Sequence, residues 1–185
     1  MSIIGITGSI ASGKSTVARL IAKKKYPLFR EDKIVSYLYK NSRFIKLLAK
    51  KFKLREKKKI KNQIILLVRK NNNKLKVLEN IIHPIVRRKM NVFLKKKNKV
   101  LVLEIPLLIE NKLDRYFDKI IFIDAKKKLR LKRYLKKNSE KKIFEMLNKK
   151  QLSPNIKKKA CDLVINNNYS LAILEKNVKK IYGNL

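Results

Sequence analysis

Residues Gly8-Ser9-Ile10-Ala11-Ser12-Gly13-Lys14-Ser15 spell the phosphate-loop pattern G-x-x-x-x-G-K-[ST] in full. Ahead of it, Ser2-Ile3-Ile4-Gly5-Ile6-Thr7 reads as a short buried strand. Behind it, Thr16–Ala22 reads as an amphipathic helix with apolar residues at 17, 20 and 21. A chain that turns from strand to helix through such a loop aims its backbone N–H groups at one point. That point lies at a positive helix terminus, so polyphosphate binds there. The pattern therefore sets Gly8, Ala11, Ser12, Gly13, Lys14, Ser15 and Thr16 around a nucleoside triphosphate. Lys14 reaches the β- and γ-phosphates, and the Ser15 hydroxyl holds Mg²⁺.

Downstream, Pro27-Leu28-Phe29 predicts a second short strand ending at Arg30-Glu31-Asp32. Helical patterns fill about 32–97, broken near Asn41-Ser42 and Asn71-Asn72-Asn73. Val100–Ile105 and Lys119–Asp124 are continuous apolar runs of the kind buried on both faces of a sheet, and Asp162–Ile165 is a last candidate strand. Helices between the runs predict an α/β fold, a parallel five-stranded sheet with right-handed crossovers. Ligands in such sheets bind beyond the carboxyl ends of the strands, where the loop, Asp32, Glu104 and Asp124 all fall. One domain is expected, with a core of about 1–30, 98–130 and 160–185. The helical insertion, about 31–97, is longer than a crossover needs. In a small kinase such an insertion holds the acceptor, and a later basic helical segment, here about 131–155, closes as a lid. The alternative for both is ordinary packing helices.

Composition narrows the classes. At 185 residues and 45% hydrophobic, the chain can bury a substantial core. No apolar run approaches the roughly 18–20 residues of a membrane span. A strand beginning at Ser2 leaves no room for a signal peptide, so the expected location is the cytoplasm. One cysteine, Cys161, and one histidine, His83, make a zinc site or a Cys/His catalytic pair a poor reading, and Cys161 reads as a buried small hydrophobe. The net charge of +37 invites a nucleic-acid partner. Against that, 40 Lys stand beside 10 Arg, with 17 Asn and 23 Ile, a set that AT-rich codons alone produce. The lysine runs (57–59, 95–97, 126–128 and 157–159) are dispersed and lack interleaved aromatics, so they read as solvated helix faces. No specific nucleic-acid partner and no membrane partner are expected, and the chain is expected to be a monomer.

Several separated motifs together resemble the dephospho-CoA kinases, P-loop kinases that pass the γ-phosphate of ATP to the ribose 3′-hydroxyl of dephospho-CoA. Gly5–Ala18 is similar to that family's opening. Ile82-His83-Pro84 is similar to its His-Pro motif at the start of a long helix, and Ile105-Pro106-Leu107-Leu108-Ile109-Glu110-Asn111 to its Pro-Leu-Leu-x-Glu signature. Leu131-Lys132-Arg133, Gln151 and Asp162–Asn167 follow in order, so the resemblance spans essentially the whole chain. It implies ATP and dephospho-CoA as substrates, Mg²⁺ as cofactor and coenzyme A as product. It also implies Asp32 as the group that orients the acceptor hydroxyl, Lys137 beside the nucleotide, and Asp32, His83, Pro106 and Leu107 near the acceptor. Arg133 reads as a charge clamp on the triphosphate.

The departures fall near the chemistry. The family's Asp-Ala-Asp after the second strand reads Arg30-Glu31-Asp32, so Arg30 either pairs with Asp32 or contacts a substrate phosphate. The second lid arginine is Lys137, followed by Asn138, which keeps charge but loses bidentate geometry. A Gly-rich segment in the insertion is replaced by Lys51-Phe52-Lys53-Leu54. Glu104 either serves Mg²⁺, directly or through water, or is a solvated strand-end carboxylate. His83 is either structural or an acceptor contact. The competing functions are another P-loop kinase acting on a nucleoside or nucleotide, a nucleotide-switched nucleic-acid-binding protein, and a decayed enzyme.

Overall fold

The computed structural model describes residues 1–23, 25–54, 60–137 and 140–182; the lysine run 57–59 and Asn138 lie outside the described residues. Among the described residues, β1 (Ser2–Gly8), β2 (Leu28–Arg30), β3 (Val100–Glu104), β4 (Lys119–Asp124) and β5 (Leu163–Asn166) form one sheet in the order β2-β3-β1-β4-β5. Every pairing is parallel. All five residues of β3 are buried, which is what the uninterrupted apolar run required. Helices α1 (Lys14–Ala22) and α9 (Leu171–Tyr182) cover one face. Val17, Ala18 and Ile21 of α1 and Leu174 and Val178 of α9 pack there with Ile4, Ile6, Val102, Ile121 and Ile165. On the alternating positions Leu101, Leu103 and Phe122 are fully buried on the opposite face.

Contacts divide the chain into two units, Met1–Arg30 with Lys97–Leu185, and Glu31–Lys96. The second unit is helical: α2 (Glu31–Leu38), α3 (Ser42–Lys51), α4 (Ile60–Lys70) and α5 (Asn72–Leu94). The two breaks expected at asparagines are helix starts. Asn41 Oδ1 accepts from Phe44 N at 3.0 Å and Asn71 Oδ1 from Asn73 N at 2.8 Å, each satisfying an N–H the first turn leaves open. Leu38, Phe44, Leu48, Ile64, Val68, Val86 and Met90 are buried in this unit.

Four expectations shift. The second strand runs one residue later than Pro27–Phe29, so Arg30 ends it, and Asp32 sits in the first turn of α2 instead of on a strand end. Helix α1 starts at Lys14, because Gly13 at φ 101° caps it directly. The last strand is Leu163–Asn166, which brings Asn166 into register with Asp124. His83-Pro84 does not open a helix: it lies inside α5, which the Asn71 cap starts a full eleven residues ahead of His83 at Asn72. Pro84, which has no backbone N–H, removes one helical hydrogen bond there.

Among the described residues, the basic segment after β4 forms the helices α6 (Lys127–Leu135), α7 (Lys141–Lys149) and α8 (Pro154–Lys159). Its lysines are not uniformly solvated. Lys157 is 0% exposed, and its Nζ lies 2.6 Å from Glu110 Oε1 and donates to the Pro106 carbonyl at 3.2 Å. The Leu152 N–H donates to the same Glu110 oxygen at 3.1 Å, so the pair ties the loop after β3 to the start of α8. Lys158 pairs with Asp124 at 2.6 Å. Cys161 is half-buried, not fully buried as expected. Burial, and then Asp162, push its thiol up from 9.0 to about 11.

Removing one partner of a buried pair strands the other charge. Lys157→Met should therefore lower the unfolding free energy by roughly 3–5 kcal/mol, and Lys157→Met with Glu110→Gln should recover most of it, read by urea denaturation. Because the folded state holds the Cys161 proton more tightly, its contribution is complete below pH 9.0 and disappears as pH climbs towards 11. Iodoacetamide at pH 8 should alkylate the native thiol about a hundredfold more slowly than the urea-unfolded one.

Candidate active site

The site begins where β1 ends. Ser9, Ile10 and Ala11 turn tightly, with Ser12 N–H donating to the Ser9 carbonyl at 3.1 Å and Ala11 held at φ 58°. A side chain at Gly13 would stand 2.2 Å from Asn167 Nδ2, and one at Gly8 would stand 2.6 Å from the Ile123 carbonyl. Both glycines are therefore demanded by close approach as well as by backbone angle. Gly13 offers no side-chain cap, so the N-terminus of α1 keeps its donors for a ligand.

Contacts distant in sequence hold the loop's shape. Gln151 Oε1 accepts from Ile10 N–H at 2.8 Å, while Arg130 Nη1 donates to the Ile10 carbonyl at 3.3 Å and to Asn148 Oδ1 at 2.8 Å. Arg130 is 3% exposed; burial pulls its guanidinium below the usual arginine range while Asp124 and Glu145 draw it back up. Asn167 Nδ2 donates to the Ser12 carbonyl at 2.7 Å, and Arg133 Nη2 donates to the Asn167 carbonyl at 2.9 Å. Lys14 is buried and folds over the loop, its Nζ donating to the carbonyls of Gly8 at 3.1 Å and Ser9 at 2.9 Å.

Among the described residues, Ser12 Oγ in the loop and Arg133 Nη1 beside Asn167 are buried polar atoms with no protein partner. Buried donors left open cost free energy unless something fills them. A hydroxyl and a guanidinium nitrogen, next to an uncapped helix start, fit phosphate oxygens.

Ser15, on the first turn of α1, donates its hydroxyl hydrogen to Glu104 Oε1. Arg30 Nε reaches Glu104 Oε2 at 2.7 Å. The sheet explains the Glu104–Arg30 pair: both lie in one row with Ile6 across β1, β3 and β2. Glu104 is 1% exposed, so it is not a solvated strand-end carboxylate. The donor set, a hydroxyl beside a carboxylate, consists of hard oxygens and suits Mg²⁺. Among the described residues no group of three or more His, Cys, Asp and Glu gathers to hold a metal.

Of the expected residues, Gly8, Ala11, Ser12, Gly13, Lys14, Ser15 and Thr16 form the loop and helix start, with Glu104 against Ser15 and Arg133 joined to the loop through Asn167. Pro106 presents its carbonyl to Thr7 Oγ1 at 3.1 Å and to Lys157, while Leu107 is half-buried beside it. Lys137 is exposed just past the end of α6. Asp32 and His83 belong to the second unit, on α2 and α5. Arg130 escaped the sequence reading. The signal lay in composition: in a chain with so few arginines, one at a buried helix position marks a need for a planar fork.

Residues 2–172 match the family model for dephospho-CoA kinase (CoaE). A dephospho-CoA kinase of Bartonella henselae is 36% identical over 172 residues, covering 89% of this chain and 88% of the relative. The chain belongs to the dephospho-CoA kinase family. Among solved structures, the dephospho-CoA kinase from Campylobacter jejuni superposes with a TM-score of 0.69 at 28% identity, over 99% of this chain and 98% of that one. A crystal structure from Thermus thermophilus, TT1252, reaches 0.79 at 29% identity over 100% and 97%. The parallel sheet and loop are thus the P-loop kinase fold of this family, whose members use ATP.

Asn167 carries no ionisable group, yet it holds both Gly13's neighbour space and the Ser12 carbonyl. Asn167→Ala should weaken binding of a fluorescent ATP analogue by about tenfold with little change in melting temperature. Gly13→Ala should weaken it further, since the new methyl displaces Asn167 from the loop.

Proposed function

We propose that this chain transfers the γ-phosphate of ATP to the 3′-hydroxyl of dephospho-CoA, giving coenzyme A. The observation that carries the reading is the family match over residues 2–172 on a chain that keeps its phosphate loop, with Lys14 and Ser15, intact. In this reading the loop N–H groups and Ser12 Oγ hold the phosphates. Lys14 leaves the Gly8 and Ser9 carbonyls to meet the β- and γ-phosphates, and Arg133 turns its unpartnered nitrogen to the same charge. Ser15 would hold Mg²⁺, with Glu104 orienting its hydroxyl or serving the ion through water, and the ion would supply charge neutralisation to the phosphates. Asp32 orients the acceptor hydroxyl and takes its proton late, since a free carboxylate is too weak a base to do so early. His83, Pro106 and Leu107 contact the acceptor and Lys137 the nucleotide. The 31–97 helices bind the acceptor, and 131–155 forms the lid. The enzyme works as a monomer in the cytoplasm, where ATP is supplied.

A coupled assay of ADP release with purified protein, ATP, Mg²⁺ and dephospho-CoA tests this. Turnover should require dephospho-CoA, and a panel of nucleosides and nucleotides should give none above background. Lys14→Ala and Asp32→Asn should each lower kcat by about a hundredfold or more with an unchanged far-UV spectrum. ADP release that ignores dephospho-CoA, or that survives Lys14→Ala, would overturn the assignment.

A further inference from the structure

Both oxygens of the buried Glu104 carboxylate are occupied. Ser15 donates to one, and Arg30 holds the other at 2.7 Å. Glu104 is the acidic side chain in contact with Ser15, and its negative charge is cancelled by a guanidinium that is itself only 20% exposed. A hydroxyl that gives its hydrogen to a carboxylate turns its lone pairs outward, so Ser15 is oriented as an oxygen ligand by Glu104, and Glu104 by Arg30. The protein side of the cation site therefore offers orientation without net charge. Divalent cations of this size give up hydration reluctantly and need anionic oxygens in return.

We infer that Arg30 is a positioning residue that makes cation binding conditional on nucleotide: the site takes a divalent ion only when phosphate oxygens bring the negative charge. The inference rests on the reading of Ser15 as a cation ligand. Its physical content is a sign. Removing the guanidinium leaves a buried carboxylate without a counter-charge, and a cation then becomes its natural partner.

The test is a titration of the purified full-length protein with Mn²⁺ alone, and then with Mn²⁺ plus ADP, read by electron paramagnetic resonance of free Mn²⁺. The unaltered protein should bind Mn²⁺ at the site with ADP present and at least about tenfold more weakly without it. Arg30→Met should bind Mn²⁺ without ADP at least about tenfold more tightly than the parent and gain thermal stability on adding Mn²⁺. Arg30→Lys, which keeps the charge, should behave as the parent. Should Arg30→Met fold poorly, Arg30→Met with Glu104→Gln removes the stranded charge and should restore stability while binding no Mn²⁺ in the absence of ADP. Equal Mn²⁺ affinity of the parent with and without ADP would overturn the inference. So would a folded Arg30→Met that needs ADP as strictly as the parent. Ser15→Ala separates the two readings: undiminished Mn²⁺ affinity with ADP would remove Ser15 as a ligand, whereas the Arg30→Met comparison bears on the counter-charge alone.

Discussion

The turn from β1 into α1 cannot hold its own shape, and the rest of the first unit is arranged to hold it. Ala11 sits at a left-handed angle that an L-residue adopts at some cost. What compensates is a ring of contacts from far along the chain: Gln151 and Arg130 on the two backbone groups of Ile10, Asn167 on Ser12, Glu104 on Ser15. Each comes from a different part of the chain, and two of them are placed by the sheet. Strand β3 delivers Glu104 and β5 delivers Asn167 just beyond its end. The loop is thus a product of the whole sheet and of the helices after β4, not of its eight residues alone.

The same economy governs charge. A chain with 50 basic and 13 acidic residues has cations to spare, so the informative ones are those withdrawn from solvent. Lys157 is enclosed between Glu110 and the Pro106 carbonyl, and Arg130 between the Ala125 and Ile10 carbonyls and Asn148. A buried cation without partners would lower stability by several kcal/mol, so these side chains are matched with carbonyl, amide and carboxylate acceptors. Both sit in the stretch that a count of lysine runs marks as solvated surface. A lysine-rich composition hides the difference between Lys157 and its exposed neighbour Lys159, because both are the same letter.

Much of the fold was legible because a parallel sheet buries its strands on both faces. The runs at Val100–Glu104 and Lys119–Asp124 have no polar interruption and match the strands to within a residue. The short edge strands were less so: Leu28–Arg30 has three residues, and its pairing with β3, not its own pattern, sets where it ends. That one-residue shift matters, since it makes Arg30 a strand residue facing Glu104 and starts α2 before Asp32. The asparagine breaks in the insertion were readable through capping chemistry. The place of His83-Pro84 was not, because proline usually signals a helix start and here lies within one. In the site, the loop residues follow from their spacing. Arg130, Asn167 and the partner of Arg30 do not, since each contact joins residues 34 to 155 positions apart.

Arg30 shows why a departure from a family pattern is best judged by what it touches. Taken along the chain, an arginine in place of an aspartate beside Asp32 removes an acid from the acceptor side. Taken across the sheet, it adds a counter-charge to Glu104, in the row that also holds Ile6. The second relation is fixed by backbone register and so does not depend on side-chain choice at any other position. A carboxylate that is 1% exposed and directly touches a loop hydroxyl needs some partner to remain an acceptor there. With arginine as that partner, Ser15 is oriented through a salt bridge whose two ends are set by neighbouring strands. Around the phosphate loop the buried charges are thus already paired within the protein, and the unpartnered donors, Ser12 Oγ and Arg133 Nη1, are the ones left for an anion.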